Sequence, residues 1–124
     1  MDNYTAYLFT KVECEAHEIS KITSAMLSWD EVDEYRLSYI LDHLRNIQRC
    51  IEIYRDIEVV KNYLAGENIS QSPEEVMTIA LTLAGNCSDI YYDKMVAKIS
   101  KTLDSQTIER CKAKVLAAQE AQDE

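Results

Sequence analysis

The amino-acid sequence predicts an all-α fold of about five helices: a long antiparallel helical hairpin with three shorter helices packed on its distal end. Three observations carry that prediction. Apolar residues recur at three- and four-residue spacing almost throughout, and no segment alternates as a half-buried strand does. The 124 residues include only two Gly and one Pro, too few for the turns of a β-rich fold. The breaks in helical periodicity fall at residues that cap helices. The length suits one domain spanning residues 1–124, able to bury a core without a metal or disulfide staple.

The first helix is predicted from about Asn3, its N-cap, to Met26. Leu8, Val12, Ile19, Ile22 and Met26 form its inward stripe, with Glu15 the one polar intruder, and Cys14 and His17 fall on the opposite face. Ser28-Trp29-Asp30-Glu31 reads as a capping box that opens the second helix. That helix meets no Gly or Pro before Gly66. Its main stripe is Leu37, Ile40, Leu44, Ile47, Ile51 and Tyr54. A second stripe, about a third of a turn away, holds Tyr35, Tyr39, Cys50, Ile53, Ile57, Val60 and Leu64, and takes over at Glu58. About 36 residues make a rod of roughly 55 Å, which outlasts the first helix. The last third must therefore bury its apolar residues against something later in the chain.

Gly66 is the expected C′ residue of that rod. Ser72-Pro73-Glu74-Glu75 supplies a cap, Pro at the first helical position and a carboxylate at the third, the strongest local signal in the chain. Val76, Met77, Ile79, Ala80, Leu81, Leu83 and Ala84 then cover nearly every side of a third helix, which should be the most buried element and end at Gly85. Asn86 or Ser88 is expected to start a fourth helix with Tyr92, Met95, Val96, Ile99 and Leu103 inward. Asp104 or Ser105 starts a fifth with Ile108, Cys111, Val115 and Ala118 inward, and Glu120 to Glu124 should fray.

Composition removes several function classes. A net charge of −9 argues against direct binding of nucleic acid through its phosphates. The N-terminus shows no basic and apolar leader, and the longest uncharged run, Val76 to Ser88, is too short and polar to span a bilayer, so a cytoplasmic protein without membrane contact is expected. The four cysteines, Cys14, Cys50, Cys87 and Cys111, contain no C-x-x-C pair and are expected as free thiols. His17 and His43 could approach Cys14, Glu13 and Asp42 in an antiparallel hairpin, but Cys14 and His17 face away from the stripe that holds His43, which speaks against a metal site. No nucleophile elbow, P-loop or dinucleotide fingerprint is present, so neither catalytic residues nor cofactors are predicted.

The remaining signals point to binding. Residues 1–34 carry eight acids against Lys11 and Lys21, whereas residues 94–114 are net basic, with Lys94, Lys98 and Lys101 on one face. Eight tyrosines stand against one Phe and one Trp, and tyrosine suits surfaces buried only on binding, because its hydroxyl can stay wet while the ring packs. Acid and tyrosine meet at Asp30, Glu31, Asp33, Glu34, Tyr35 and Tyr39, the predicted partner-binding face. The expected function is a non-enzymatic, acidic helical binding protein that occludes a basic surface of a protein partner. It would act as an inhibitor or immunity protein, against a nuclease or another nucleic-acid-binding protein. The alternative is an adaptor or secretion-chaperone subunit that shields an apolar partner helix. Salt separates them, since only the first should weaken steeply with it. Association into a homodimer is compatible with either.

Overall fold

Each run of helical periodicity becomes a helix in the structure, a computed structural model that describes residues 1–86 and 89–123. In order these are α1 (Asn3–Trp29), α2 (Glu34–Leu64), α3 (Pro73–Asn86), α4 (Ile90–Ser100) and α5 (Ser105–Asp123). There is no strand among the described residues, and the fold is all-α as predicted. Close contacts group the chain into two compact units, Met1–Tyr54 and Arg55–Glu124.

The first unit is α1 packed on the first two thirds of α2. Asp2, one residue before the expected Asn3, caps α1: its Oδ1 accepts the Thr5 N–H at 2.8 Å. The other end corrects the sequence reading. Ser28 does not open α2 but lies inside α1, which runs on to Trp29. Asp30 then takes the left-handed conformation at φ 52°, and the N–H groups of Asp30 and Glu31 donate to the carbonyls of Leu27 and Met26 at 3.3 and 3.1 Å. This is a Schellman closure, with Asp in the position usually given to Gly because its short polar side chain tolerates the left-handed region. The N-cap of α2 is Asp33, whose Oδ1 accepts the Arg36 N–H at 2.8 Å. Moving the cap from Ser28 to Asp33 leaves Asp30 to Val32 free to reverse the chain.

Three contacts set the register of the two helices. Phe9 meets Tyr54 edge to face at 5.4 Å, and the Glu15 carboxylate takes both His43 Nδ1 and Asn46 Nδ2. The polar intruder of the α1 stripe thus meets polar partners on α2. This fixes which stripe of α2 faces α1: Ile40, His43, Ile47, Cys50 and Tyr54 are buried or half-buried. Leu37 and Leu44, expected inward, stay 36% and 48% exposed, because a stripe one residue further along is turned by about 100°.

The second unit joins the end of α2 to the three short helices. Ile57 and Val60 of α2 are buried there with Val76, Met77, Ala80 and Leu83 of α3, Tyr92, Met95 and Ile99 of α4, and Cys111 of α5. The last third of α2 therefore buries Ile57 and Val60 of its second stripe in this unit, while Leu64 stays 36% exposed, and α3 contributes the most core residues. Gly66, at φ 79°, closes α2 as its C′ residue, with Gly66 and Glu67 N–H donating to Tyr63 and Asn62 carbonyls at 3.1 and 2.9 Å. Gly85 does not end α3, which continues to Asn86; an added Cβ there would stand 2.8 Å from the amide nitrogen at the end of the Gln119 side chain, which would have to shift. Asp89 caps α4 in place of Asn86, while Ser88, the other expected start, lies outside the described residues with Cys87. Asp104 caps α5 through the Thr107 N–H at 2.7 Å. The polar end expected to fray is helical as far as Asp123, and Glu124 lies outside the described residues. Cys14, Cys50 and Cys111 are free thiols.

The box at Ser72 forms in both directions. Glu75 N–H donates to Ser72 Oγ at 3.2 Å and Ser72 N–H donates to Glu75 Oε1 at 3.4 Å. Because α3 carries much of the second core, Ser72→Ala is expected to lower stability by about 0.5–2 kcal/mol, read as a shift of the urea midpoint at unchanged slope.

Candidate partner-binding surface

The turn between α1 and α2 exposes more apolar surface than a solvated turn needs. Leu27, Trp29, Val32 and Tyr35 are 78%, 61%, 69% and 74% exposed within nine residues. Asp30, Glu31, Asp33 and Glu34 stand among them. The Schellman closure and the Asp33 cap hold this short segment in one backbone path, so its side chains are presented rather than left to wander.

The six predicted residues fall into two groups. Asp30, Glu31 and Glu34 are exposed. Asp33 is only partly exposed and already occupied: it caps α2 and pairs with the Arg36 guanidinium. Its carboxyl is held below the ordinary 3.8, first by the Arg36 backbone N–H and then by the guanidinium. Tyr35 and Tyr39, one turn apart on α2, stack edge to face at 5.3 Å. The Tyr35 hydroxyl and its negative charge on ionisation push the Tyr39 phenol above its ordinary 10.0.

Trp29 is the residue the sequence reading left out. Arg36 lies over its ring at 4.4 Å, so one guanidinium joins the cap to the exposed indole. The signal for it in the sequence is a Trp beside four acids, inside the S-x-x-E pattern at Ser28. On the other side of the turn, Thr23, Met26, Leu27, Asp30, Glu31 and Val32 line a groove of about 210 Å³. This arrangement offers a charged rim, rings already held by intramolecular stacking, and a shallow apolar recess.

Cys14 and His17 are exposed, whereas His43 is half-buried against Glu15. Among the described residues no three His, Cys, Asp or Glu side chains come together as metal ligands. Lys94, Lys98 and Lys101 are all exposed, as the helical spacing implied. Among the described residues no helix is long and apolar enough to cross a membrane.

The Glu15 carboxyl is held below its ordinary 4.5, chiefly by the hydrogen bond from His43, then by that from Asn46, while burial works the other way. A lowered acid contributes stability that is complete above its unfolded value and lost as pH falls through the folded one. Stability of the parent should therefore fall below about pH 4.5 more steeply than that of Glu15→Gln, the two urea midpoints converging in acid. A constant difference from pH 6 to roughly pH 3 would show that the pair adds nothing electrostatic.

No protein-family model matches the chain, and neither a curated protein nor a solved structure matches it.

Proposed function

We propose that the chain is a non-enzymatic binding protein whose acidic hairpin turn occludes a basic surface of a protein partner, in the manner of an inhibitor or immunity protein. The observation that carries this reading is the exposure of Trp29 and Tyr35 in the same turn as the exposed acids Asp30, Glu31 and Glu34, each aromatic ring already held by a neighbour. Aromatic side chains with few rotatable bonds are the usual anchors of interfaces, and anchors held before binding lose less entropy when they bind. The surrounding acids select the partner's sign and speed the encounter. A nuclease or another nucleic-acid-binding protein suits the reading, since a surface that takes phosphates is basic and a chain of net charge −9 competes for it. The complex is proposed to form in the cytoplasm, a reducing compartment that suits the free thiols Cys14, Cys50 and Cys111.

The test is affinity capture from a lysate of the source organism with the parent and with Trp29→Ala/Tyr35→Ala, at low and high salt. The expected result is one basic protein held by the parent at low salt and lost both with the variant and in high salt. Equal retention by parent and variant, or indifference to salt, would overturn the reading.

A further inference from the structure

The groove at the end of α1 has a lining that selects what can fill it. At about 210 Å³ it lies below the roughly 300–1,000 Å³ of small-molecule sites, so it admits a single side chain. Its apolar part is half-buried Met26 with exposed Leu27 and Val32. The Thr23 hydroxyl already donates to the Ile19 carbonyl at 2.8 Å. That leaves the Asp30 and Glu31 carboxylates as the polar groups of the groove, and neither has a cationic partner among the described residues. Arg36, the nearest base in the sequence, is engaged by Asp33 and Trp29 on the other side of the turn. Both carboxylates also stand at the C-terminal, negative pole of α1, whose last turn holds no basic residue. Acids are unfavourable at that pole, and cations are what it attracts.

We infer that this groove receives one basic side chain of the protein partner, a lysine or an arginine, with its alkyl stem on Met26, Leu27 and Val32 and its charged head at Asp30 and Glu31. The inference rests on the reading of the turn as a partner-binding surface, and adds the residue type that the partner must present to it. Charge complementarity selects this occupant. An apolar side chain would cover two carboxylates without pairing them, and taking unpaired charge out of water is costly. A small cation would pair the carboxylates and leave the apolar floor wet. A long cationic side chain does both, since its stem packs on apolar surface while its head stays with polar groups. The site is also formed before binding. The Asp30 and Glu31 N–H groups are tied to the Leu27 and Met26 carbonyls, which fixes the backbone that carries both acids, so little order has to be imposed on it when the partner arrives.

The purified full chain is titrated with the Nα-acetyl methylamides of lysine and of arginine at constant ionic strength, and the Met26 and Val32 methyl resonances are followed. Saturable shifts with at least one of the two are expected, with a Kd in the millimolar range that suits a single side chain. The norleucine derivative keeps the stem without the charge and should bind about fivefold more weakly. Methylammonium keeps the charge without the stem and should give no saturable shift. In Asp30→Asn/Glu31→Gln the preference for charge should vanish, the lysine and norleucine derivatives binding alike; Asn tolerates the left-handed conformation at position 30, so the turn is kept. Equal binding of the lysine and norleucine derivatives to the parent, or no saturable shift with either basic derivative, would overturn the inference. In the capture experiment above, Asp30→Asn/Glu31→Gln should retain less of the partner. A partner held as tightly by this variant as by the parent, yet released by Trp29→Ala/Tyr35→Ala, would overturn the role of the groove and leave the binding surface standing. A parent that captures no basic protein fails the surface instead, whatever the derivatives show.

Discussion

Replacing Tyr92 with alanine is expected to lower stability by about 3–5 kcal/mol, the largest loss from any single truncation in the chain. Tyr92 is the largest of the fully buried side chains, at 1% exposure. It lies one turn from Met95 and two from Ile99 on the inner stripe of α4, and Tyr91 packs edge to face on its ring at 5.7 Å. Truncation removes the burial of an aromatic ring and leaves a void that rigid helices fill only in part. Total stability for a domain of this size is about 5–15 kcal/mol, so such a loss consumes a large share of it. Tyr92→Phe separates the ring from the hydroxyl and should retain most of the stability. Tyr91→Ala, at a half-buried site, should cost distinctly less. Chemical unfolding followed by circular dichroism measures all three. A Tyr92→Ala loss below about 1 kcal/mol would mean that the second core does not close around α4.

Much of that core was legible in the sequence, and the reason is local. The Ser72 box, the αL glycine at 66 and the inner stripe of α4 are each specified within one or two turns. The burial of Ile57 and Val60 followed from length alone, because a rod longer than its first neighbour needs a second one. The hairpin was less legible because its decisions are made at a distance. S-x-x-E at Ser28 and the Asp33 cap are both sound N-terminal signals, and only the reversal through Asp30 chooses between them. Likewise Leu37, Leu44, Ile40 and Ile47 share one broad apolar arc, and periodicity cannot say which edge of it meets α1. The Glu15–His43–Asn46 contact decides that, across 28 and 31 residues of sequence. The candidate site was legible as a composition of acids and tyrosines. Its geometry was not, because the roles of Asp33 and Trp29 both depend on where Arg36 lies.

That geometry decides which acids a partner can use. Asp33 is committed to the α2 cap and to Arg36, so reversing it would unmake the turn along with the surface. Glu31 and Glu34 are exposed and cap nothing, and they carry the test. Glu31→Lys/Glu34→Lys changes the local charge by four without removing the cap, the Schellman closure or the Trp29 stack. Against a basic partner, the association rate should fall by about ten- to a hundredfold at low salt. The slope of that rate with ionic strength should flatten, because long-range attraction is what salt screens. The dissociation rate should change less, since Trp29 and Tyr35 keep their contacts and charges at the rim act mainly on the encounter. Stopped-flow association over a range of salt, with helicity checked by circular dichroism, separates these terms. A parent and variant with the same association rate and the same salt slope would show that the carboxylates around the turn serve the helix ends and solvation alone.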